Sequence, residues 1–135
     1  MRDDCGCGTR LIYACSGAAD VGAIADLTAR KLSREGFGGM SCLAAIGANV
    51  SGFVESAKSA ENIVIDGCPV ACARGTLERI GVACTAHVLT DLGLVKGKAQ
   101  ITDAVVGEIA DKIKQKTGRA LKNSNEACQG NCSCG

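Results

Sequence analysis

The stretch "NIVIDGCPVACARG", residues 62–75, decides how the chain is read. Ile63, Val64 and Ile65 form an apolar run of the kind that fills a strand buried on both faces. Asp66-Gly67 then supplies a turn, and Pro69 suits the first turn of a helix, where a missing N–H costs nothing. Val70, Ala73, Leu77 and Ile80 give that helix an inward face, and Gly81 ends it. The segment therefore predicts a strand at 61–66 leading into a helix, with Cys68 as the helix cap and Cys72 one turn on.

The same alternation recurs on either side. "RLIYAC" (10–15) is a buried strand, and Asp20 can cap a helix over 21–33 whose face is Val21, Ile24, Ala25, Thr28 and Leu32. "MSCLAAIG" (40–47) is a second apolar run of strand length. Asn49 opens a helix to about residue 60 with Val50, Phe53, Val54 and Ala57 as its stripe. "AHVLT" (86–90) is a fourth strand, and "DLGLVKGKAQ" is a loop. Thr102 caps a last helix carrying Val105, Val106, Ile109 and Ile113, which Gly118 terminates. Four strands alternating with four helices predict a single-domain α/β three-layer sandwich: a four-stranded parallel sheet, order 2-1-3-4, with helices on both faces. Residues 9–118 make the domain, and 1–8 and 119–135 are polar, cysteine-rich termini. In such a sheet, sites form at the carboxyl ends of the strands beside the point where the order reverses. Cys15 and Cys68 follow the two strands that flank it.

Composition narrows the function classes. Of 135 residues 47% are apolar but only 2% aromatic, so the core is aliphatic. A net charge of +1 lacks the basic footprint of a nucleic-acid binder. "MRDDCGCG" has no apolar h-region, and no run reaches the ~18 apolar residues of a membrane span. The chain reads as cytoplasmic, with no membrane or nucleic-acid partner.

Ten cysteines remain to be explained. A disulfide scaffold needs an oxidising compartment and usually a chain too small to build a core, so metal ligation, redox chemistry and buried thiols are the live readings. The partial positive charge of a helix N-terminus favours thiolate, the form that binds metal. Cys15, in "CSGAADVG", meets a helix N-terminus across a glycine turn. The same loop lacks the arginine or Gly-Lys-Ser/Thr of a phosphate cradle, since the sixth residue past Cys15 is Val21. Cys42 reaches the carboxyl edge if its strand ends near Leu43 and is buried if it runs to Ile46; periodicity does not decide. Four thiols on three strand ends would match a closed zinc site with four cysteine ligands. Iron is the alternative, since it accepts the same tetrahedral sulfur donors in iron–sulfur clusters.

Taken together, "CSGAADVG", "MSCLAAIG", "IDGCPVACAR" and "HVLTDLGL" closely resemble the DGC-domain family, a group named for the Asp-Gly-Cys that stands here at Asp66-Gly67-Cys68. The resemblance spans roughly residues 9–115. It implies zinc binding with four metal-chelating cysteines, Cys15, Cys42, Cys68 and Cys72, and implies no particular reaction. Asp66, Thr90 and Asp91 are candidates to hydrogen-bond a thiolate from behind. Cys5, Cys7, Cys128, Cys132 and Cys134 are soft donors in glycine-rich termini and form a candidate second thiol site. Cys84 reads as a buried thiol and His87 as a structural residue. The expected function is soft-metal binding. The alternatives are a thiol oxidoreductase or metal-assisted enzyme with a labile cysteine ligand, and an iron–sulfur electron carrier.

Overall fold

A computed structural model describes residues 9–131, with side chains through Thr117. Four strands, β1 (Arg10–Ala14), β2 (Gly39–Met40), β3 (Glu61–Asp66) and β4 (Thr85–Val88), form one parallel sheet in the order β2-β1-β3-β4. Arg10 pairs with Glu61 and Ala14 with Ile65, so β1 and β3 run in register along their length. This is the order expected from short right-handed crossovers.

The pleat sends alternate residues to opposite faces. Ile12, Ala14, Ile63 and Ile65 pack under α1 (Asp20–Arg34) and α5 (Asp103–Asn131), where Ile24, Leu32, Val106 and Ile109 complete one core. Tyr13 and Val64 pack on the other face under α2 (Leu43–Gly47), α3 (Ser51–Lys58) and α4 (Cys72–Arg79), with Ile46, Val54 and Leu77. The result is a single α/β domain of three layers. No helix among the described residues is long and apolar enough to cross a membrane.

Several local readings are corrected. The run 40–47 is not a strand. Ladder pairing stops at Met40, and "LAAIG" coils into α2, because Leu and Ala favour helix and Ile46 is its only β-branched residue. Asn49 does not open α3. Its φ of 59° is left-handed, a conformation that Asn tolerates, and it closes the end of α2 while Val50 caps α3. The stripe on α3 is half covered: Val54 and Ala57 are buried, whereas Val50 and Phe53 stay exposed. Gly118 does not end the last helix, which continues to Asn131. A helical glycine costs only about 1 kcal/mol relative to Ala, and Ala120, Leu121, Lys122, Glu126 and Ala127 are good helix formers. Thr102 does cap α5, its Oγ1 accepting the Val105 N–H at 3.2 Å.

The segment after β3 also departs from the expected helix. Pro69 is not helical, and α4 begins three residues later, at Cys72. Residues 68–71 form a turn closed by the Ala71 N–H on the Cys68 carbonyl at 3.0 Å. Pro69 occupies the second position of that turn, whose φ proline presets. Ala71 takes φ 55° before the helix starts. Val70, expected to face inward, is therefore 70% exposed.

Candidate metal centre

Parallel strands point their carboxyl ends to one edge, and the connections that leave it carry the thiols. Cys15 directly follows β1 and extends the ladder, its N–H donating to the Ile65 carbonyl at 3.1 Å. Cys42 lies two residues past β2 and caps α2. Cys68 lies two residues past β3, and Cys72 is the first residue of α4. The early end of β2 thus resolves the alternative that sequence left open, and Cys42 stands at the carboxyl edge. Cys15 and Cys68 are half-buried, while Cys42 and Cys72 are exposed.

Backbone contact holds the β1 and β3 connections together. A Cβ on Gly67 would meet the Val21 carbonyl carbon at 2.7 Å and the Gly22 nitrogen at 2.9 Å. A Cβ on Gly22 would in turn meet the Gly17 oxygen at 2.6 Å. Gly67 is needed for this approach and not for an unusual φ, since its φ is not positive. With the loops this close, the Gly67 N–H donates to Cys15 Sγ at 3.4 Å. Ser16, beside Cys15, holds a left-handed φ of 51°, and its Oγ donates to Asp26 Oδ1 at 2.7 Å. Burial pushes the Asp26 carboxyl up, but hydrogen bonds from Arg30 and Ser16 outweigh it, and the group stays below the usual range. Non-glycine residues in strained backbone thus flank thiols in both loops, Ser16 after Cys15 and Ala71 before Cys72.

Of the three residues expected behind the thiolates, Asp66 is engaged elsewhere. Asp66, 1% exposed, accepts the Ala73 and Arg74 N–H groups at 2.8 and 3.1 Å. These are the free amides of the first turn of α4, so Asp66 supplies the capping carboxylate that Cys68 does not. Thr90 lies in a 3-10 turn (Leu89–Leu92) with its Oγ1 buried and without a hydrogen-bond partner, and Asp91 is exposed. Sequence reasoning missed Lys96, whose ammonium lies 3.5 Å from Cys68 Sγ. The two residues are 28 apart in the chain, and no local pattern links them.

Beside Cys15 and Cys42 an open cleft of about 1170 Å³ runs between α1 and α2, walled also by Asp26, Arg30, Ser33 and Ser41. Among the described residues no three Cys, His, Asp or Glu side chains are grouped closely enough to hold a metal ion. Cys84 precedes β4 at the opposite edge. Burial raises its pKa, and the nearby Glu78 carboxylate adds to that. His87, 6% exposed, sits on β4 beside Ile65 with its Nε2 unpartnered. Burial, helped by the Lys116 charge, lowers its pKa to about 4, so it is neutral at physiological pH. The candidate second site, Cys5, Cys7, Cys128, Cys132 and Cys134, lies outside the residues whose side chains are described.

The family model of the DGC domain matches residues 11–113, from β1 into α5. The chain belongs to the DGC domain family. A curated relative, the anaerobic and virulence modulator AnvM of Pseudomonas aeruginosa, is 41% identical to this DGC domain over 88 residues, covering 64% of this chain and 67% of that protein. No solved structure matches this chain.

Proposed function

We propose that this DGC domain binds a soft divalent metal ion, zinc, through Cys15, Cys42, Cys68 and Cys72. One observation carries the reading: the four thiols leave one edge of the sheet on the connections of three adjacent strands, β2, β1 and β3. Neighbouring strands lie about 4.8 Å apart, within reach of side chains converging on one ion. The donor set is all sulfur, which suits zinc or iron and disfavours hard cations. The Gly67 N–H on Cys15 Sγ is a contact that supports a thiolate ligand. Closing the site requires Cys42 and Cys72 to turn inward. Both are exposed, so little packing is lost when they do. Four thiolates saturate zinc and make a structural site, whereas loss of one would open a coordination position where water or substrate could bind and the zinc would act as a Lewis acid. The relative is named an anaerobic and virulence modulator, and an oxidisable thiolate–metal centre would suit a role of that kind.

Metal analysis of protein purified without oxygen tests the reading. The expected result is one equivalent of zinc in a colourless protein. That zinc is lost in Cys68→Ser and Cys15→Ser and retained in Cys84→Ser. Visible charge-transfer bands would identify an iron–sulfur centre instead, and metal retained when Cys15, Cys42, Cys68 and Cys72 are each replaced singly by Ser would sink the thiolate site.

A further inference from the structure

The loop that carries Lys96 is held by a long-range latch. Asp20, the first residue of α1, accepts the N–H groups of Gly97 at 2.9 Å and Ala99 at 2.8 Å, besides that of Val21 at 2.8 Å. The sequence reading assigns Asp20 to capping α1, but two of its three bonds reach nearly eighty residues down the chain. The amides it holds, Gly97 above all, lower its carboxyl below the usual range. Within the loop the Lys98 N–H donates to the Val95 carbonyl at 2.9 Å, and Gly97 takes φ 89°. Lys96 and Gly97 are thus the central pair of a turn whose third residue requires positive φ. A second cation pins the start of the same loop, Lys112 Nζ donating to the Leu92 carbonyl at 2.8 Å. Both anchors leave the Lys96 ammonium at the Cys68 sulfur, the only cation among the described residues that hydrogen-bonds a thiol.

We propose that Lys96 is the charge-compensating residue of the cysteine site, and that Asp20 positions it by latching residues 97–99 to the start of α1. The inference rests on the metal reading above and adds a residue to it. Four thiolates on a divalent ion leave net negative charge, and an ammonium at one sulfur offsets part of it. The loop is exposed, so without the latch the lysine would sample many positions and most of the interaction would be lost.

The test uses the full chain, stripped of metal and titrated with zinc against a colorimetric chelator. Lys96→Gln should weaken zinc binding by about 10- to 100-fold, the usual cost of removing an outer-shell partner. Lys96→Arg should restore most of it. Asp20→Asn should weaken binding as well, and the double variant should be no worse than Lys96→Gln alone, since both act through one contact. The difference between wild type and Lys96→Gln should shrink at high salt, as expected of an exposed charge and not of a packing residue. In the metal-free protein Asp20→Asn should speed amide exchange at Gly97 and Ala99, and Lys96→Gln should not. Wild-type affinity in Lys96→Gln would overturn the inference while leaving the metal reading intact. Unchanged exchange in Asp20→Asn would overturn the latch. A wild-type protein that takes up no zinc removes the metal reading and the inference together.

Discussion

At the amino edge of the sheet, Arg10 and Glu61 begin β1 and β3 side by side and close that end with charge. The guanidinium donates to both Glu61 oxygens, at 3.2 and 3.1 Å, and to the Phe37 carbonyl at 3.4 Å, while its centre lies 4.8 Å from the Phe37 ring. At the carboxyl edge the same two strands are closed by backbone against backbone at Gly67, Val21 and Gly22, with Asp66 and Asp20 spent on amides. The thiols divide the same way. Cys84, at the amino edge, is pushed toward its neutral form by burial and by Glu78. Cys68, at the carboxyl edge, meets an ammonium. A parallel sheet collects helix N-termini and free amides at its carboxyl edge, which suits anionic sulfur, while its amino edge is free to serve stability alone.

The sharpest way to break this contrast is Gly67→Ala. The added carbon cannot fit against the Val21 carbonyl without moving α1 or β3, so we expect a loss of about 3 kcal/mol in urea unfolding and loss of bound metal as well. Wild-type stability with wild-type metal content would show that the backbone contact is dispensable.

Acid should expose a different weakness. His87 is neutral in the fold, with a pKa of about 4 against 6.5 for the free side chain. The unfolded chain therefore binds the proton first as pH falls. Stability contributed by the neutral ring is complete above about pH 6.5 and is lost progressively down to about pH 4, for a total on the order of 3 kcal/mol. His87→Leu should flatten that part of the stability–pH profile. An unchanged slope would assign the acid sensitivity to other groups.

Glu61→Gln separates the two edges. It keeps the shape and removes the charge, so a loss of about 1 kcal/mol is expected with metal content untouched. If metal disappears with it, the edges are coupled and the division drawn here fails. The smallest effect has the opposite sign. Gly52 lies in α3 with nothing within 4 Å of an added Cβ, so Gly52→Ala should raise stability by about 0.5 kcal/mol and leave metal binding alone. Calorimetry that shows destabilisation would mean that glycine serves a role beyond the helix.

Three of the four strands, β1, β3 and β4, the order β2-β1-β3-β4 and the placement of Cys15, Cys68 and Cys72 near the carboxyl edge were legible in the amino-acid sequence. Their signals are local: buried strands read as short apolar runs, helices repeat at 3.6 residues, and connection rules turn the alternation into a topology. The apolar run 40–47 was ambiguous for the same reason, because a short segment without a polar alternation fits strand or helix equally well. Tertiary structure alone decided that this run breaks after Met40 and brings Cys42 to the edge, that Pro69 serves a turn and Asp66 caps α4, and that Gly67 is required for a close approach. It also decided that Asp20 and Lys96 reach the 93–99 loop and Cys68. Each of these is a contact between segments that the sheet brings together from distant parts of the chain. A loop has no periodicity to announce its partners, so a carboxylate or an ammonium in sequence shows its charge but not the amide or sulfur it will meet.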